Sequence, residues 1–106
     1  MDHLLPGVDA LVELEHRTIV EKYGEGYHSM HEGYAVMLEE VEEAQEKLDS
    51  VKEWHGKIWA CIRDNMDISE YKLKRIESEA MDLAAEAVQI AAVARRWRGG
   101  LKDENA

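Results

Sequence analysis

The sequence predicts an all-α protein, an antiparallel helical bundle completed by homodimerisation. Three observations carry that expectation. The only proline, Pro6, lies ahead of every helical pattern, and glycines fall only at 7, 24–33, 56 and 99–100, so little interrupts the stretches between. Apolar residues recur there at three- and four-residue spacing, and nowhere alternate as in a half-buried strand. Phe is absent and Ala frequent, which suits helices that approach closely. The 106 residues make one domain, with 1–7 and 99–106 expected as flexible termini.

The first helix is expected over residues 8–22, where Val8, Leu11, Leu14, Thr18 and Ile19 recur at helical spacing. Gly24 and Gly26 end it. Ser29, with Glu32 three positions on, forms a capping box for the second helix. Tyr34, Met37, Leu38, Val41, Ala44, Leu48 and Val51 keep the period, and Ile58, Trp59 and Ile62 continue it to about residue 64. Gly56 and the polar run 49–53 leave a break or kink near 50–56 open. After a turn at 63–67, Ser69 or Asp67 caps the third helix, expected over 69–98. Its apolar face is wide and Ala-rich, from Leu73 to Ala94. Arg95, Arg96 and Arg98 suit the C-terminal end of its dipole, and Gly99-Gly100 suits a left-handed cap. Such helices bury little as a monomer, and residues 80–94 are apolar on more than one side, which points to a homodimer or a higher homo-oligomer.

Thirteen basic residues against twenty-three acidic give a net charge of −10. No basic stripe tracks a phosphate backbone, which argues against a nucleic-acid polymer as partner. The N-terminal segment does not read as a signal peptide, and no apolar run is long enough for a membrane span. Cys61 is the single cysteine, so no intrachain disulfide forms, and a cytoplasmic setting is expected.

Two pairs of acids carry the chemistry. Glu40 and Glu43 are three residues apart on the second helix, and Glu79 and Asp82 are three apart on the third, with Glu86 continuing their row. That spacing puts both carboxylates of a pair on one face, with Cβ atoms roughly 5–6 Å apart. Each pair borders the apolar row of its helix, where like charges facing each other need a counter-ion. Mg²⁺, with Mn²⁺ as a substitute, fits an all-oxygen set of this kind. The expected geometry is convergence of Glu40, Glu43, Glu79 and Asp82 in a site about 4–8 Å across. Lys47, Lys72 and Arg75 lie one or two turns from the acids, in reach of a phosphate held there, although each also has an ordinary ion-pair partner on its own helix. Trp54, Trp59 and Tyr34 could line a nucleobase pocket or serve only as packing. His28 and His31 straddle a helix start and read as exposed or capping residues. Cys61 reads as packing, and Gly24-x-Gly26 lacks the context of a phosphate loop.

Glu39-Glu40-x-x-Glu43 followed by Glu79-x-x-Asp82 resembles the MazG-like all-α nucleoside triphosphate pyrophosphohydrolases, whose hallmark is an EExxE motif on one helix and an ExxD motif on the next. The resemblance covers roughly residues 8–97, and residues 31–44 are especially similar to small single-domain members. It implies Glu40, Glu43, Glu79 and Asp82 as metal ligands, Glu39 as a candidate base, and hydrolysis of a nucleotide to its monophosphate and pyrophosphate. One departure is the 35 residues between Glu43 and Glu79, more than is usual in the family. The alternative expectation is a non-catalytic acidic helical dimer with a structural or regulatory role.

Overall fold

The computed structural model describes residues 2–101. A 3₁₀ turn, Asp2–Leu4, leads into α1 (Leu5–Tyr23), followed by α2 (Met30–Arg63) and α3 (Glu70–Gly100). The protein is an all-α bundle of three helices. α1 begins three residues earlier than its apolar pattern predicts, because Pro6 sits in the first turn, where its missing N–H has no bond to make. Of the termini expected to be flexible, residues 2–7 form the 3₁₀ turn and the start of α1, and 99–100 belong to α3. Residues 1 and 102–106 lie outside the described residues.

The capping box forms. Ser29 Oγ accepts from Glu32 N at 3.1 Å, and the Glu32 carboxylate reaches back to His28 N, also at 3.1 Å. α2 then runs unbroken through Gly56 for 34 residues, about 51 Å at 1.5 Å per residue. No break appears near 50–56, because α2 lies along α3 on both sides of Gly56 and that packing outweighs the glycine's weak preference. The turn closes on Asn65, whose φ of 53° lets Met66 N bond Cys61 O at 2.8 Å. Ser69 Oγ accepts from Lys72 N at 3.3 Å and starts α3.

α3 is the central element. It packs antiparallel to α2, carries α1 on its C-terminal part, and α1 and α2 do not pack on each other. Gly99-Gly100 does not form the expected left-handed cap. Both residues stay helical, and their smallness serves a close approach, since a Cβ on Gly26 would lie 2.8 Å from the Gly100 Cα. Gly26 N bonds Arg96 O at 3.0 Å beside it.

The core is thin. Val12, Cys61, Ala92 and Val93 are buried, and among the described residues no large side chain is fully so. The molecule measures 61 × 30 × 26 Å with a radius of gyration of 18.1 Å, against about 13 Å for a compact chain of this length. No described helix is long and apolar enough to cross a membrane.

Candidate metal centre

α2 and α3 meet in antiparallel register, and that register selects which acids face each other. Lys47 Nζ lies 3.5 Å from Asp82 Oδ2 across the seam. One turn earlier on α2 is Glu43, and one turn later on α3 is Glu86. The oxygens of Glu40, Glu43 and Glu86 accordingly lie within 4.8 Å of one another. Glu39 is exposed beside them, and Glu15 of α1 is near enough to add its charge to the field at Glu40.

This crowding costs solvation and adds repulsion. Burial holds the Glu40 carboxyl above its ordinary range, helped by the charges of Glu43, Glu86, Glu39 and Glu15. Lost solvation also raises Glu43, and a proton shared with Glu86, the Glu86 charge and Glu46 raise it further. Glu86 Oε2 is shut off from solvent and has no hydrogen-bond partner. A buried carboxylate oxygen without a donor needs a proton or a cation. Octahedral Mg²⁺ takes oxygen ligands roughly 2.1 Å from the ion, and three carboxylates with oxygens within 4.8 Å of one another are a donor set of that chemistry. The residues present fit the ion.

The second acid pair is engaged differently from the expectation. Glu79 is only 9 % exposed and takes Arg75 Nη2 at 2.7 Å, leaving its Oε2 without a partner. Asp82 faces Lys47. The acid that α3 brings against Glu40 and Glu43 is thus Glu86, from the same row and one turn beyond Asp82. The signal that identifies it is the register: equal steps away from the hairpin turn, in opposite directions, bring 43 to 86.

The cationic candidates are also committed. Lys72 Nζ lies 2.9 Å from the buried Cys61 Sγ. Arg75 adds a position 5.3 Å from the Trp54 ring centroid to its bond with Glu79. Trp54 meets Tyr71 edge-on at 5.8 Å and carries Lys57 at 4.1 Å, so it belongs to a packed cluster towards the hairpin turn. Of the three basic residues, Lys47 stands nearest the acids, one turn from Glu43. Trp59 and Tyr34 are largely exposed. His31 joins Met30, Tyr34 and Trp97 around an apolar hollow of about 370 Å³, and His28 borders a second hollow between Tyr23, Tyr27 and Arg96.

No protein-family model, curated protein or solved structure matches this chain.

Proposed function

We propose that the α2–α3 seam binds a divalent cation through Glu40, Glu43 and Glu86, and that the protein is a Mg²⁺-dependent nucleoside triphosphate pyrophosphohydrolase of the MazG-like kind. The observation that carries the reading is the mutual approach of those three carboxylates within 4.8 Å, with an unpartnered Glu86 oxygen among them. The motif resemblance supplies the reaction. Water attacks a phosphorus of the nucleotide, the bond to the pyrophosphate oxygen breaks, and the water's proton passes to a carboxylate.

A divalent cation held by Glu40, Glu43 and Glu86 would supply positive charge against the charge that develops on the phosphate in the reaction. Glu39, exposed one residue before Glu40, would orient the attacking water and take its proton. Asp82 is half-exposed and tied only by a 3.5 Å pair to Lys47; when phosphate draws the ammonium away, the carboxylate is released one turn from Glu86. Glu79 acts by holding Arg75 in place. A small nucleotide is the partner, a homodimer the working unit, and the cytosol its setting.

The test is pyrophosphate release from a panel of NTPs and dNTPs with Mg²⁺ or Mn²⁺. Turnover that is abolished in Glu43→Gln and Glu86→Gln supports the reading. Full activity in both variants, or no turnover on any nucleotide, removes it. The second reading, a non-catalytic acidic helical dimer, draws on one specific observation: large apolar side chains such as Tyr34, Trp59 and Leu73 stand exposed along the helices.

A further inference from the structure

α1 and α2 both pack on α3 and not on each other, which leaves a groove between them with α3 as its floor. Glu32, Val36, Glu40 and Glu43 follow one another at steps of four, four and three residues, so they share one face of α2. One end of that face holds the carboxylates, within the field of Glu15 on α1. Its other end opens into the hollow of about 460 Å³ lined by Tyr23, Tyr27, His28, Glu32, Val36 and Arg96.

Arg96 is held in place there. Its Nε donates to Gly24 O at 3.0 Å, and its guanidinium lies 4.2 Å from the Tyr27 ring centroid and 5.5 Å from that of Tyr23. Among the described residues Arg96 takes no carboxylate partner, whereas Arg95 beside it takes two. Glu32 accepts from His28 N through Oε1, and its Oε2 accepts from no described residue. The hollow thus pairs a fixed donor fork with a carboxylate between tyrosine rings.

A simple ion suits only half of that pair. An anion drawn to Arg96 meets the charge of Glu32, and a cation drawn to Glu32 meets that of Arg96. A flat neutral ring with adjoining acceptors and donors satisfies both. In guanine, O6 and N7 are neighbouring acceptors that match the arginine fork. Next to O6, N1–H and the 2-amino group are donors that match a carboxylate. Adenine sets an amino donor where O6 stands, and a pyrimidine has no N7.

We propose that this hollow binds the base of a 6-oxopurine nucleotide, guanine above all. Arg96 reads O6 and N7, Glu32 reads N1–H and the 2-amino group, and the tyrosines give the base flat apolar walls. The inference rests on the nucleotide reading of the acid cluster and names its substrate class. Spacing agrees with it. Arg96 is ten residues from Glu86, and Glu32 is eight from Glu40, about 12–15 Å along the helices. A ribose and a chain of phosphates cover that distance from base to cation. The Trp54 ring is a poorer seat, because Lys57 and Arg75 already lie over it and Tyr71 meets it edge-on.

Titration calorimetry on the full chain without divalent cation, using GMP, IMP, AMP, CMP and UMP, tests the base alone. All five carry one phosphate, and none needs hydrolysis. GMP should bind, with AMP, CMP and UMP each weaker by roughly tenfold or more, the discrimination of a bidentate arginine contact. IMP lacks the 2-amino group and should fall between. Arg96→Lys keeps the charge and loses the fork, so it should bring GMP level with AMP. Glu32→Gln retains the capping box and should narrow the gap between GMP and IMP; it decides the matter should Arg96→Lys fail to fold. No binding of GMP, or an affinity equal to that of AMP or CMP, overturns the inference. Guanine preference without turnover of any triphosphate would remove the pyrophosphohydrolase reading and leave this site standing. Turnover of all triphosphates alike, with no preference for GMP, would do the reverse.

Discussion

Gly33 has no side chain because the Trp97 ring occupies that space. A Cβ added there would lie 2.5 Å from the indole. Gly33→Ala is therefore expected to cost about 1–3 kcal/mol by forcing the ring aside, read as a lower denaturant midpoint with an unchanged m-value. Arg75 and Glu79 make a second residue-scale case. Arg75→Ala strands a carboxylate that is 9 % exposed, with an expected loss of about 1–3 kcal/mol. Replacing both, Arg75→Met with Glu79→Leu, should recover most of that loss, since a hydrophobic pair carries no desolvation cost. A double-mutant cycle checks both statements. At this scale the sequence is legible in part. The pair Glu40 and Glu43 is visible from spacing alone, and their partner is not, because the partner depends on how far the hairpin turn shifts one helix along the other.

Elements are more legible than contacts. The Ser29–Glu32 box, the apolar period and the two glycines after Tyr23 locate helix ends to within a few residues, because each acts through bonds local in sequence. The features misjudged from sequence are Pro6 and Gly99-Gly100, where local preference competes with tertiary packing or with a first-turn position that tolerates proline; at Gly56 the long helix that the apolar period favours forms without a break. Gly56 gives a direct test. A Cβ there meets nothing within 4 Å, and the helix runs unbroken through it. Gly56→Ala is expected to stabilise the protein by about 0.5–1 kcal/mol by restricting the unfolded chain and improving helix preference. Thermal unfolding reads the gain, and a loss would show that α2 needs flexibility there.

The whole molecule is a thin, acidic assembly whose charge works against its own folding. Glu40 and Glu43 have folded-state pKa values above the ordinary 4.5, so between that value and neutrality the folded chain binds more protons than the unfolded one. Stability contributed by these groups therefore falls as pH rises through the raised values, and returns as pH is lowered towards 4.5. Wild-type protein without divalent cation should show a rising melting temperature over that descent, and Glu40→Gln with Glu43→Gln should flatten the trend. Screening by salt should raise the melting temperature at neutral pH in the same way, and favour association of like-charged chains.

The central claim is that Glu40, Glu43 and Glu86 together hold a divalent cation, and titration calorimetry with Mn²⁺ at neutral pH tests it most directly. Saturable binding by the wild type is expected. Glu43→Gln and Glu86→Gln should each lose that binding while keeping the helical circular dichroism of the wild type. Binding absent from the wild type, or unchanged in both variants, would contradict the assignment.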